Sequence, residues 1–485
     1  MKNILLLFLI ITAVSCNPPC NKKTAEKSKQ EISYADSIRA NEVKRDLEDI
    51  RKDGVLKAIT LYSSTSYFIY RGRPMGFDYE LLNRLAEHLK LKLEIVVAHN
   101  MDDLIAMLIR GDGDMIAYAL TITDNRRKVI DFTKYHSKTH QVLVQKKPDH
   151  WRKMKLHEID RALLSDALDL IGDTVWVRRN SSYYERMINL MHEIGDTIHI
   201  EILPGDLDTE EVIEKVSKGD VKYTISDYNI ASIMSSYFDN IDIRVPVSLS
   251  QRLAWAVRKT SPDLKAAIND WIVKMKKTDD YYVIYHKYFE SQKKFKTLRK
   301  SKYYSKETGM ISPYDKIIKK YSGKVGWDWR LVSSIVYQES RFDINSKSWT
   351  GACGLMQLMP STAKAMGITN PKDPDQNIRG GIKYLKHLFD QWPSISDTIQ
   401  RIKFTLGSYN CGINHVIDAQ NLTKKYGGDP KVWDNNVENY LKLLSKPKYY
   451  NDPAVKFGYV RGIEPYKYVR EIFERYALYK DVIPE

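Results

Sequence analysis

A chain of 485 residues predicts about three domains. With 43% apolar and 11% aromatic residues it is too rich in core-forming side chains to be disordered, and 23 glycines and 17 prolines exclude a collagen-like or Pro-rich fibre. The 76 Lys and Arg outnumber the 61 Asp and Glu, a formal net charge of +15, which suits an anionic polymer, an anionic membrane face or nucleic acid. The four cysteines lack the CxxC or Cys/His spacing of a zinc module.

In chain order, Lys2 precedes an apolar run from Ile4 to Val14 and then Ser15-Cys16. A charge ahead of an apolar run too short to span a bilayer has the form of a secretory signal. Ala13 and Ser15 before Cys16 resemble the lipobox of bacterial lipoproteins. That resemblance implies a signal peptide over 1–15, lipidation of Cys16 and a polar, Lys-rich tether over 16–42; a plain signal peptide with an incidental cysteine is the alternative. From 43 to 292, apolar runs at 55–61, 93–97, 115–119, 142–144, 223–226 and 253–257 alternate with helical stretches such as 79–89 and 101–110. This rhythm predicts an α/β domain with mostly parallel sheets. A basic linker is expected over 293–312, opening with KKFKTLRKSK. A mainly helical module then follows over 313–485, with helices expected near 314–321, 329–341, 361–366, 377–392, 397–409, 437–444 and 466–479.

The α/β region resembles the family 3 periplasmic solute-binding proteins. The resemblance rests on Asp53-Gly54-Val55-Leu56, Gly76-Phe77-Asp78-Tyr79-Glu80-Leu81, Gly111-Asp112-Gly113-Asp114-Met115, and above all Leu120-Thr121-Ile122-Thr123-Asp124-Asn125-Arg126 followed by Ile130-Asp131-Phe132-Thr133. It implies a bilobal fold with a ligand between lobes, joined by strands crossing near 146–150 and 246–250. Thr121 and Arg126 are then expected to hold a ligand carboxylate and Asp227 its ammonium, with Tyr67 as an apolar wall. A guanidinium offers two parallel donors to a carboxylate, which suits that role. The bland readings are a solvated Arg126, a helix-capping Asp227 and a core Tyr67.

In the helical region, Leu331, Val332, Ile335 and Val336 fall on one helix face, and Glu339 continues it. A carboxylate on the apolar side of a helix end is expected to be partly desolvated, its pKa raised, as a general acid near neutral pH requires. Spacing alone leaves a salt-bridged Glu equally open. Glu339-Ser340-Arg341-Phe342 is followed by Gly354-Leu355-Met356-Gln357-Leu358-Met359-Pro360, then Ser408-Tyr409-Asn410-Cys411-Gly412 and Glu464-Pro465-Tyr466-Lys467-Tyr468-Val469. These blocks, in this order, are similar to the soluble lytic transglycosylase family with its goose-type lysozyme fold. With the solute-binding region and the lipobox, the architecture resembles the membrane-bound lytic transglycosylase F family.

That resemblance implies cleavage of the β-1,4 bond between N-acetylmuramic acid and N-acetylglucosamine in peptidoglycan, with Glu339 as the one catalytic residue. Ser340, Gly354, Met356, Gln357, Tyr409, Asn410 and Tyr468 are the expected substrate-binding residues, Tyr468 reaching the acid. No metal and no cofactor are implied. Cys353 and Cys411, placed by the same blocks around one groove, form a disulfide or stay as two free thiols. The expected partners are peptidoglycan, a muropeptide or amino acid in the first domain, and a membrane through the lipid anchor, with no nucleic acid. The expected location is the periplasmic side of the envelope, at the outer membrane. A hydrolytic muramidase and a non-catalytic wall sensor stand as alternatives.

Overall fold

The computed structural model describes residues 42–483 apart from 180, 205–206, 292–300 and 302. The signal segment, Cys16, the tether up to residue 41 and nearly all of the basic run at 293–302 lie outside the described residues. The strands run in chain order as β1 (Val55–Thr60), β2 (Phe68–Tyr70), β3 (Arg73–Met75), β4 (Lys92–Val97), β5 (Met115–Thr121), β6 (Asp131–Phe132), β7 (Ser137–Thr139), β8 (Gln141–Lys146), β9 (Thr174–Arg178), β10 (His199–Leu203), β11 (Tyr223–Asp227), β12 (Ile241–Asp242) and β13 (Gln251–Val257).

Two sheets make two lobes. The first has the order β4-β1-β5-β13-β6, with β7 also on β13; the second has the order β10-β9-β11-β8-β12. The inner strands are buried on both faces because helices cover them, as parallel sheets require. On the first sheet the Phe77–Leu89 helix lays Leu81, Leu82 and Leu85 into a core shared with Trp255 and Trp271. Both sheets are mixed, where the alternation predicted mostly parallel ones. β8, which carries the chain into the second lobe, runs antiparallel to β11, and β13, which brings it back, runs antiparallel to β5.

The outward crossing is at His140. Thr139 pairs with Gln251 in the first sheet, and Gln141 pairs with Asp227 in the second. This is earlier than the 146–150 expected, where the chain has already passed through β8. The return runs through 246–250, from the Val142–Pro246 bridge to the start of β13. The lobes touch across the cleft. Ser64 donates from its backbone to Glu210 at 2.8 Å and Asn125 donates to Glu185 at 3.1 Å.

The C-terminal module is helical, with one core gathered from the helices Asp315–Val325, Trp329–Ser340, Pro374–Asp390, Thr398–Cys411, Ile413–Lys425 and Ile463–Val482. Asp328 caps the second of these by accepting from Arg330 N at 2.8 Å, and Arg330 also donates to the carbonyl of Ile483 at 2.7 Å. Arg341 and Phe342 both take positive φ, so this helix stops right after Ser340.

The two modules meet at the β2–β3 hairpin. Ile69, Ile311, Tyr479 and Ile483 share a buried cluster, Arg71 N donates to Tyr303 O at 3.1 Å, and Tyr479 donates to Gly72 O at 2.9 Å. The stretch after residue 302 therefore departs from the linker expected up to 312. Tyr304 is buried against Phe68 and Ile311 sits in the cluster, because apolar side chains there have a surface to cover.

Candidate active site and ligand cleft

The Trp329–Ser340 helix buries Leu331, Val332, Ile335 and Val336 and carries Glu339, half-buried, on the continuation of that face. Tyr468, from the Ile463–Val482 helix, donates its hydroxyl to Glu339 Oε1. Burial pushes the Glu339 carboxyl up to about 7, and the Tyr468 hydrogen bond, which favours the ionised form, opposes that rise. Burial, and after it the nearby Glu339 charge, raises the hydroxyl of Tyr409. A carboxylic acid so placed holds its proton near neutrality and can deliver it.

Beside it lies the 351–360 turn. Gly354 has φ +80°, and a Cβ there would stand 2.3 Å from Asn377 Nδ2 and 2.4 Å from Pro371 O, so no side chain fits. Asn377 accepts from Met356 N at 2.8 Å, and Tyr409 donates to Met356 O at 2.7 Å, so the turn is pinned from two helices. Gln357 donates its amide back to Ser346 O at 3.0 Å and Gly354 O at 2.8 Å. Asn410 is exposed nearby.

Two expected sugar contacts are corrected. Ser340 is 7% exposed and donates to Val336 O and Leu355 O, tying the helix end to the turn. Met356 has no exposed surface and packs in the core. Neither side chain is open to a glycan in this structure. Cys353 and Cys411 are free thiols, each donating to a nearby carbonyl, and burial pushes Cys411 up to about 12. Asn377 was missed in the sequence; a buried Asn among the apolar positions of a helix was the available signal.

Between the lobes is a small cavity of about 40 Å³ whose walls include Thr121, Arg126 and Asp227. Thr121 ends β5, and Arg126, in the next helix turn, donates to its carbonyl at 3.0 Å. Asp227 ends β11; Tyr183 donates to its Oδ2 at 3.4 Å, and burial pushes its carboxyl up to about 7. Tyr67 is elsewhere, fully buried between Tyr62 and Tyr79. The aromatic walls are Phe77, Tyr118, Tyr183 and Phe289 instead. Arg178, at the end of β9, also lines the cavity and had no motif to announce it.

Two families match this chain in succession: bacterial extracellular solute-binding proteins, family 3, over residues 60–291, and the transglycosylase SLT domain over residues 316–431. The chain is 35% identical over 432 residues to a membrane-bound lytic murein transglycosylase F of Desulfosudis oleivorans, covering 89% of this chain and 91% of that one. This chain belongs to the membrane-bound lytic murein transglycosylase F family. It is also 31% identical to a protein of the same name from Aliivibrio fischeri, covering 90% of this chain and 85% of that one. Among solved structures, the ancestral amino acid-binding protein AncCDT-1 aligns with 50% of this chain and 98% of its own, at 25% identity and a TM-score of 0.40. The two family matches and the folds described above give a bilobal α/β binding domain followed by a helical, lysozyme-like domain. The SLT match stops at residue 431, yet the helix bearing Tyr468 lies beyond it and bonds to Glu339.

Proposed function

We propose that this protein is a peptidoglycan lytic transglycosylase, with residues 313–485 as the catalytic domain and residues 43–292 as a fused amino-acid or peptide-binding module. The observation that carries the reading is Glu339, a half-buried acid at a helix end, bonded by Tyr468, with its pKa near 7. Membership of a family whose relatives are named lytic murein transglycosylases supports it.

Glycosidases ordinarily divide the work between two carboxylates. Here Glu339 serves twice. It protonates the oxygen linking N-acetylmuramic acid to N-acetylglucosamine while the muramic N-acetyl group supports the cation-like carbon. As a carboxylate it then takes the proton of the muramic C6 hydroxyl, which attacks C1 and closes a 1,6-anhydro ring. No water enters the products. The protein contributes a tuned proton donor and positioning: Tyr468 orients the acid, and the Gly354–Gln357 turn with Tyr409 and Asn410 borders the sugar path.

The membrane-bound relatives support a place in the cell envelope. We further propose anchoring to the outer membrane through lipidated Cys16, which a Cys16→Ala variant released into the soluble fraction would support. Digestion of purified sacculi followed by mass spectrometry tests the reaction. Anhydro-muropeptides are expected; reducing ends would mark a hydrolytic muramidase and undigested wall a binding protein.

A further inference from the structure

The cleft between the lobes brings two guanidiniums, those of Arg126 and Arg178, to one cavity, and a ligand with a single carboxylate can form a bidentate pair with only one of them. Asp227 Oδ1 is buried without a hydrogen-bond partner, the place for an ammonium. Arg126 brings one guanidinium from the first lobe. Arg178 brings a second from the other lobe. It is 6% exposed, and among the described residues its Nη1 reaches only the carbonyl of Leu207 at 3.3 Å and its Nε has no partner. Buried donors on a permanent cation are costly to leave unmade, so a ligand anion is the natural completion.

Asp78, a further acid in the cavity wall, and Glu210 bond to neutral groups of the protein itself. Asp78 accepts from Trp255 Nε1 at 2.8 Å and lies 3.6 Å from His136 Nε2. Glu210 is held by the backbone N–H and hydroxyl of Ser64. Glu185 is bonded to Asn125 and exerts its charge on Arg126 without being a wall of the cavity, while the Arg178 charge acts on Asp227 and its side chain also borders a second cavity with Asp208 and Glu211.

We infer that the cleft selects an α-amino acid with a second carboxylate, its ammonium on Asp227, one carboxylate on Arg126 and the other on Arg178. Each guanidinium then meets a carboxylate, and the Asp227 carboxylate meets the ammonium. A basic amino acid would bring a third cation against the two arginines. With the lobes in contact the cavity measures about 40 Å³, room for only a few waters, so the lobes must part to admit an amino acid.

This rests on the reading that the cleft is the module's ligand site, and the experiment separates the two. Calorimetry on the full chain in detergent uses L-glutamate, L-aspartate, L-glutamine and L-arginine, on wild type, Arg178→Gln and Arg126→Ala, with thermal unfolding to show that the variants fold. Glutamate or aspartate is expected to bind at least about tenfold tighter than glutamine, with arginine weakest, since a polar site rejects ligands that leave its groups unpaired. Arg178→Gln is expected to erase that preference while glutamine still binds, and Arg126→Ala to abolish binding of every probe. Glutamine or arginine binding as tightly as both acids, lost in Arg126→Ala, would overturn the acidic preference alone. So would an Arg178→Gln variant that keeps its glutamate affinity within about twofold. Silence from all four probes would overturn both the preference and the cleft reading.

Discussion

Replacing Glu339 with Gln keeps the shape of the side chain and removes its proton chemistry. A general acid contributes roughly 10²–10⁴-fold, so cleavage by Glu339→Gln is expected to fall by at least about a hundredfold while the fold survives. Stability offers a second, independent reading of the same group. The folded pKa, about 7, lies above the ordinary 4.5, so the folded state holds this proton more tightly than the unfolded one. The resulting stability is full below about 4.5 and is lost as pH rises through 7. Wild type should therefore lose stability relative to Glu339→Gln across that window, read as urea midpoints at a series of pH values. Tyr468→Phe tests the hydrogen bond. The hydroxyl favours the carboxylate, so its removal raises the Glu339 pKa further and moves the alkaline limb of the pH–rate profile to higher pH. The rate at the optimum should also drop as the acid loses its orientation. A shift of that limb to lower pH would mean the hydroxyl does not act on Glu339 in this way.

At the scale of elements, the 351–360 turn is held by geometry that a single methyl would break. Gly354→Ala puts a Cβ into Asn377 and Pro371 at positive φ, and strained positions of this kind cost about 1–3 kcal/mol. The expected result is a lower urea midpoint together with weakened cleavage, since Tyr409 and Asn377 both bond to this turn. The turn also shows what a sequence conceals. The apolar face of the Trp329–Ser340 helix was legible because period 3.6 survives in Leu331, Val332, Ile335 and Val336, and it carried Glu339 with it. Met356 was not legible as core, since a turn has no period and only packing decides where its side chains go. β10 went unread because only Ile200, Ile202 and Leu203 in it are apolar, and the strand stays partly exposed at a sheet edge. The β2–β3 hairpin was hidden for another reason. Ile69 is covered by residues some 240 and 410 positions further along, and no local pattern records a partner so distant. Arg178 belongs with these cases, because only the meeting of two lobes gives it a neighbour in Arg126.

Across the whole molecule, one short path joins the cleft to the acid. Thr65 and Ser66 line the ligand cavity, β2 begins two residues later, and the hairpin tip at Gly72 lies against Tyr337, Phe342 and Tyr479. Tyr337 and Phe342 flank Glu339 in the chain, and Phe342 holds one of the positive φ values that end its helix. A ligand that binds the closed lobes better than the open ones would bias the position of Ser66, and through the hairpin the end of the catalytic helix. Such coupling demands differential affinity and must be reciprocal, so an intact glycan substrate should in turn change ligand affinity. Gly72→Ala isolates the path. Its Cβ would stand 2.6 Å from the Tyr479 hydroxyl and 2.7 Å from the Phe342 ring, so the packing between the tip and these rings must shift, at a site outside the walls of the ligand cavity. Wild type is expected to change its sacculus-cleavage rate by about fivefold or more on saturation with the amino acid that calorimetry identifies. Gly72→Ala should bind that amino acid as wild type does and lose the change in rate, whereas Arg126→Ala should lose both. A rate in wild type that does not respond to saturating ligand would leave the module as a binding domain without control over Glu339.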